Sequence, residues 1–225
     1  MIAVIGDIHG CFLTLQKLVQ KLKTDFPRIT IYSVGDLVDR GNFSYEVIDF
    51  FISQKLTFTA GNHDLMFYYF MKHPSSEMGT TWLYNGYEKT VASYDDHFEK
   101  LSEHLECIIN SPVILDLEGC LISHAGISKY YKKFLNGNFS FLENVLRNDL
   151  EKPHGIIWTR DELLNVGKLQ VIGHSRVNDV TFKKENNVVY IDTSAYSGNK
   201  LSAVIIDEGK VAHTISISTN PKDIE

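Results

Sequence analysis

Three times between Met1 and Asp64, an apolar run of strand length ends on a glycine-led polar cluster, and a helical pattern follows. Met1–Ile5 stops at Gly6, Ile29–Val34 at Gly35 and Leu56–Ala60 at Gly61. Phe12, Leu15, Leu18, Val19 and Leu22 recur at helical spacing, and Phe43 to Ile52 carries apolar positions suited to a second helix. A third helix is expected to start near Asp64. Such alternation predicts an α/β domain with parallel pairing in its first half.

The second half reads differently. Val113–Leu117 and Cys120–Ser123 flank Glu118-Gly119 as a hairpin. Leu169–Ile172, Val188–Ile191, Ala203–Ile206 and Val211–Ile217 are further strands, the last two joined through Glu208-Gly209. Residues 72–106 read as helical or irregular. The expected fold is therefore α/β shading into α+β, with two mixed β-sheets forming a sandwich flanked by helices. At 225 residues and 44% hydrophobic content, one domain over residues 1–218 is expected, with 219–225 as a short polar tail.

Net charge is −6, which excludes a general binder of nucleic acid polymers but leaves phosphorylated substrates open, because bound metal ions would invert the local potential. Cys11, Cys107 and Cys120 are sparse and form no CxxC pair, which argues against a disulfide framework or a structural zinc site. No apolar run nears membrane-spanning length, and no basic leader precedes the first strand. The expected setting is cytoplasmic and the default oligomeric state a monomer.

The polar residues gather where chemistry gathers in such folds, at the carboxyl ends of strands. Gly6-Asp7-Ile8-His9-Gly10, Gly35-Asp36-Leu37-Val38-Asp39-Arg40-Gly41 and Gly61-Asn62-His63-Asp64 close the first three strands. Ser123-His124-Ala125-Gly126 and Ile172-Gly173-His174-Ser175 close two later ones. Taken singly, each cluster is accounted for by a turn aspartate or a structural histidine. Five clusters with ligand-type side chains, all at strand ends, are not. Asp7 and His9 lie two apart, so in extended chain their side chains point the same way. With Asp36, Asn62, His124 and His174 they make an oxygen and nitrogen donor set without thiolate, suited to manganese, iron or zinc. Six ligands are too many for one zinc ion with an open position, but suit two ions sharing a carboxylate.

These motifs resemble those of the phosphoprotein phosphatase family of metallophosphatases, especially its small bacterial and phage-type members. The symmetrical dinucleoside-tetraphosphate hydrolases share the same set. The resemblance runs from Gly6 to about Ala195 and takes in Ile157-Trp158-Thr159-Arg160 and Ile191-Asp192-Thr193-Ser194-Ala195. It implies the calcineurin-like metallophosphatase fold and two divalent ions, manganese first, with iron or zinc as alternatives. Asp7, His9 and Asp36 would hold the first ion, and Asp36, Asn62, His124 and His174 the second, with Asp36 bridging. A hydroxide between the ions would be the nucleophile. Arg40 and Arg160 would grip the phosphoryl oxygens, Asn62 would also contact substrate, His63 would protonate the leaving oxygen, and Asp39 would orient His63. One departure is Asp64, where the family more often has Glu. The shorter carboxylate reaches less far.

The resemblance implies a dimetal phosphoester hydrolase, first a protein phosphatase acting on phosphoserine and phosphothreonine, with phosphotyrosine a further substrate. The alternative is a symmetrical dinucleoside polyphosphate hydrolase. A non-catalytic, metal-dependent binding module is the third reading, disfavoured because both arginines and His63 are kept. His73, His97, His104, His154 and His213 read as ordinary surface or structural residues, and Lys129 to Lys133 as a solvated helix face. Trp82, Tyr84, Asn85, Gly86 and Tyr87 lie where an insertion could overhang the metals, with core packing an equal expectation.

Overall fold

The computed structural model describes residues 1–134 and 139–225. Two five-stranded sheets face each other. The first has the order β10-β9-β1-β2-β3, built from β1 (Ile2–Ile5), β2 (Thr30–Ser33), β3 (Thr57–Phe58), β9 (Lys200–Asp207) and β10 (Lys210–Ser218). The second has the order β4-β5-β6-β8-β7, from β4 (Ile114–Asp116), β5 (Cys120–Ser123), β6 (Leu169–Ile172), β7 (Thr181–Lys183) and β8 (Val188–Tyr190).

Side-chain alternation builds the layers. In β1, Ala3 and Ile5 face the helices, while Val4 faces the other sheet. In β9, Leu201, Ala203 and Ile205 take the helical side, and Val204 and Ile206 the inter-sheet side. Cys120, Ile122, Val171 and Val189 of the second sheet complete the layer between the two. Helix α1 (Phe12–Asp25) covers the first sheet with Leu15, Leu18 and Leu22, all fully buried. Each such leucine contributes roughly 1.5–3 kcal/mol of burial free energy.

The remaining helices are α2 (Ser44–Ser53), α3 (Asn62–Lys72), α4 (Glu77–Trp82), α5 (Glu88–Ser93), α6 (Leu101–Ile109) and α7 (Phe139–Asn148). Among the described residues, no helix is long and apolar enough to cross a membrane.

The sandwich and the parallel pairing of β1, β2 and β3 agree with the expectation from sequence. Three differences have local causes. The third strand shrinks to Thr57–Phe58, because Ala60 donates to Pro112 O rather than to a neighbouring strand. Helix α3 begins at Asn62 rather than near Asp64, so Asn62 and His63 lie in its first turn. The short strand β7, exposed throughout, carries no apolar pattern by which to find it.

Residues 219–225 do not extend into solvent as a free tail. Cys11, at the N-cap of α1, makes no side-chain cap hydrogen bond. The carboxylate of Asp223 does so instead, accepting from Leu13 N at 2.9 Å, Thr14 N at 3.0 Å and Thr14 Oγ1 at 2.6 Å.

Candidate metal centre

The five ligand-bearing clusters lie at the carboxyl ends of β1, β2, β3, β5 and β6, so both sheets deliver side chains to one edge of the sandwich. Asp7, His9, Asp36, Asn62, His63, His124 and His174 are all buried. Close approach of the loops requires glycine: a Cβ on Gly173 would lie 1.8 Å from Asp7 Oδ1, and one on Gly61 2.1 Å from Asp36 Oδ1. Backbone strain concentrates here as well. His9 (φ 46°), Asp36 (51°), Asp39 (72°), Arg40 (73°) and His174 (57°) all occupy the left-handed region. A non-glycine residue there costs on the order of 1–3 kcal/mol and persists only where its surroundings fix it.

The donor atoms converge. Ligand atoms of Asp7, Asp36 and His124 lie within 4.8 Å of one another, as do those of His9, Asp36 and His63. Asp36 belongs to both trios, and its Oδ2 is 3.4 Å from His9 Nε2 and 3.4 Å from His124 Nε2. Asn62 Oδ1 is 3.0 Å from His124 Nε2 and 3.0 Å from His174 Nδ1.

The far nitrogens of three histidines face backbone carbonyls, and this orients the near ones. His9 Nδ1 lies 2.8 Å from Val38 O, His124 Nδ1 2.9 Å from Val34 O, and His174 Nε2 3.1 Å from Trp158 O. With the proton on the far nitrogen, each ring aims the other nitrogen inward, an arrangement typical of metal-ligating imidazoles. The chemistry of the donor set therefore fits divalent cations, and Asp36 is common to both donor trios.

Electrostatics point the same way. Burial opposes ionisation of Asp36, yet His124 and His63 outweigh it and hold the carboxyl well below the usual range. Burial would lower His124, but the carboxylates of Asp36 and Asp7 push it up to about 10. The pocket thus stabilises positive charge at this spot. Asp7 is pushed well above its ordinary value by burial and then by Asp192, while burial takes His174 down to about 3.

His63 belongs to one trio by distance, but its environment differs from that of the other rings. Its Nδ1 is 2.6 Å from Asp39 Oδ2, and its Nε2 is 2.7 Å from Arg40 Nη2. Arg40 Nη1 reaches His9 Nε2 at 2.7 Å, so the planar guanidinium spans the two rings. Asp64 sits at the base of the site. Its carboxylate accepts from Asp36 N, Leu37 N and Gly61 N at 2.8–3.0 Å, so the shorter side chain does reach the loop it supports.

These groups open into a cleft of about 210 Å³ that also includes Arg160, Asn85, Trp158, Arg176, Asp192 and Tyr196. Every residue given a role from the sequence lines this cleft or hydrogen-bonds a residue that does. Arg176 and Tyr196 were not anticipated. Arg176 follows His174 by two positions, and Tyr196 comes directly after Ala195, the last residue of the motif match. Their relation is tertiary: Arg176 Nη1 is 3.1 Å from Tyr196 Oη, and Arg40 lies 4.4 Å over the Tyr196 ring. Of the aromatic insertion, Trp82 is fully buried, Asn85 lines the cleft, and Tyr84 points to solvent. The remaining histidines stay outside the cleft.

Oxygen and nitrogen donors gathered at one edge of a β-sandwich, ringed by guanidinium groups, define a metal-dependent phosphoesterase. The chain belongs to the calcineurin-like phosphoesterases, whose family model matches residues 1–205. It is 32% identical to an asymmetrical bis(5'-nucleosyl)-tetraphosphatase, PrpE, of Anoxybacillus flavithermus, over 97% of this chain and 94% of that protein. It is 28% identical to serine/threonine-protein phosphatase 1 of Salmonella typhimurium, over 88% of each. The crystal structure of a candidate diadenosine tetraphosphatase superposes with a TM-score of 0.65 at 19% identity, covering 98% of this chain and 94% of that one, a likeness of fold. The family implies divalent metal ions and phosphoester substrates. The resemblance to phosphoprotein phosphatases agrees with these relatives.

Proposed function

We propose that this chain is a two-metal phosphomonoesterase acting on phosphoserine and phosphothreonine side chains of proteins, with phosphotyrosine a further substrate. The observation that carries this reading is the shape and charge of the cleft. The cleft of about 210 Å³ meets, at Trp158, a second pocket of about 310 Å³ edged by Glu77 and Glu151. Two carboxylates there disfavour a polyphosphate chain and suit the flank of a peptide. Free thiols at Cys11, Cys107 and Cys120 support a reducing, cytoplasmic setting, and a monomer remains the expected form.

In this reading Asp7, His9 and Asp36 hold one ion, and Asp36, Asn62, His124 and His174 the other, with manganese the first choice and iron or zinc the alternatives. The bound ions supply Lewis acidity and lower the pKa of the attacking water. Arg40 and Arg160 grip the phosphoryl oxygens, and the fork of Arg40 already stands between His9 and His63. Asn62 contacts substrate as well as metal. Asp39 fixes the Nδ1 side of His63. Its Nε2, which accepts from Arg40 Nη2 in this structure, would carry the proton given to the leaving oxygen once that guanidinium turns to the phosphoryl group.

One observation favours a second reading, hydrolysis of dinucleoside polyphosphates. Arg176 puts a third guanidinium in the cleft, more cationic groups than one phosphoryl group needs, and the PrpE relative bears a name of that kind. Steady-state hydrolysis by manganese-reconstituted protein separates the two. Turnover of a phosphoserine or phosphothreonine peptide far above that of diadenosine tetraphosphate supports the first reading, and the reverse order overturns it. His63→Asn is expected to cut kcat by about 10²-fold or more while leaving bound metal near normal.

A further inference from the structure

The Asp39 carboxylate is fully buried and receives donors from three side chains. His63 Nδ1 lies 2.6 Å from Oδ2. Trp82 Nε1 donates to both oxygens, at 2.9 and 3.0 Å, and Thr90 Oγ1 donates to Oδ1 at 2.7 Å. The backbone of the same residue is held as well: Asp39 N donates to Thr90 Oγ1 at 2.9 Å and to Ser44 Oγ, on α2, at 3.1 Å. Next along the chain, Arg40 N donates to Gly86 O at 3.0 Å. The segment from Trp82 to Thr90 therefore grips two consecutive residues whose backbones lie in the left-handed region.

The grip closes on itself through α3. Trp82 packs against Phe67 and Phe70, with ring centroids at 5.1 and 5.0 Å, and both phenylalanines belong to the helix whose first turn carries His63. With only His63 as partner, a carboxylate can swing about its terminal torsion, which is broad and roughly two-fold. Committing both oxygens to fixed donors removes that freedom, and the imidazole bonded to one of them is fixed with it.

Resting on the reading of His63 as the general acid, we infer that Trp82 and Thr90 are positioning residues for phosphoester hydrolysis. They set the Asp39 carboxylate, and through it the His63 ring, so protonation of the leaving oxygen depends on the segment from the end of α4 to the first turn of α5. Neither touches the reacting atoms. Their loss will therefore be felt in proportion to how much the leaving group needs a proton.

The test compares p-nitrophenyl phosphate, whose leaving group departs readily as the anion, with phenyl phosphate, whose leaving group does not. Manganese-loaded wild type, Trp82→Phe, Thr90→Val, Thr90→Ser and His63→Asn are assayed on both substrates, with bound metal measured for each. Thr90→Val keeps the shape of the residue and Trp82→Phe keeps most of the ring. Both are expected to lower kcat on phenyl phosphate about 10-fold while changing p-nitrophenyl phosphate turnover less than about threefold. Thr90→Ser, which keeps the hydroxyl, is expected to stay near wild type on both. Equal losses on the two substrates, or no loss on either, would overturn the inference. If His63→Asn shows the selective loss and the other variants do not, only the positioning role fails. If His63→Asn shows no selectivity, the acid assignment fails and takes this inference with it.

Discussion

The backbone N–H of Asp36 donates to Asp64 Oδ2 at 2.9 Å, so a carboxylate in the first turn of α3 holds in place the carboxylate shared by both donor trios. The same side chain accepts from Leu37 N and Gly61 N, tying the β2 loop to the β3 loop. Burial, then the nearby Asp36 charge, pushes Asp64 up to about 6. Asp64→Asn puts an NH2 where an acceptor stood and leaves a buried backbone donor unsatisfied, at a cost of about 1–3 kcal/mol. Urea unfolding should register this loss, together with lower bound metal. Unchanged stability and metal content would show that the loop holds Asp36 without it.

Gly173 stands where the β6 loop meets Asp7. A methyl group there would sit 1.8 Å from Asp7 Oδ1, against a side chain that is itself buried. Gly173→Ala is expected to displace Asp7 and to lower bound metal several-fold, with thermal stability falling by about 1–3 kcal/mol as an overpacked core does. Metal analysis alongside calorimetry checks both, and normal occupancy would contradict the placement of Asp7.

Asp223 caps α1 across more than two hundred residues of chain. Asp223→Ala removes all its side-chain acceptors and should cost about 1–2 kcal/mol of stability, the usual size of a lost cap. Chemical denaturation measures it. A change below about 0.3 kcal/mol would mean that water replaces the carboxylate without loss.

His104 supplies a pH dependence away from the metal centre. It is fully buried, with Nδ1 2.7 Å from Tyr94 Oη and Nε2 unpartnered. Burial holds it below its ordinary value of 6.5, although Asp49 at 3.8 Å pulls the other way. The folded state therefore binds fewer protons at this ring than the unfolded chain does. Its contribution is present in full above pH 6.5 and declines as pH falls below it. The stability difference between wild type and His104→Gln, measured at pH 5 and pH 8, should shrink at the lower pH. A difference that does not depend on pH would remove this ring as the cause.

Much of the centre was legible because chemistry dictates residue type. Metal ligation and phosphoryl gripping need Asp, His, Asn and Arg, and the close loops need glycine beside them, so Gly6-Asp7-Ile8-His9-Gly10 stands out in a bare sequence. Local apolar periodicity likewise marks β1 and α1, because Ala3 and Ile5, or Leu15, Leu18 and Leu22, must face one way. Arg176 and Tyr196 carried no such signal. One aromatic ring and one guanidinium become part of a cleft only when β6 and the turn after β8 stop side by side.

The sequence by itself determined the strand-and-helix alternation, the two-sheet class and the list of candidate donors, since each depends on residue type and short-range spacing. Tertiary structure decided the rest. It set β9 antiparallel against β1 and docked Asp223 onto α1, both contacts between opposite ends of the chain that no local pattern encodes. It also decided which nitrogen of each histidine faces inward, through the carbonyls of Val38, Val34 and Trp158, and it confined Asp39 and Arg40 to left-handed backbone. Such strain is never favoured locally. It survives because Trp82, Gly86 and Thr90, brought up by the packing of α3 through α5, hydrogen-bond those two residues in that conformation.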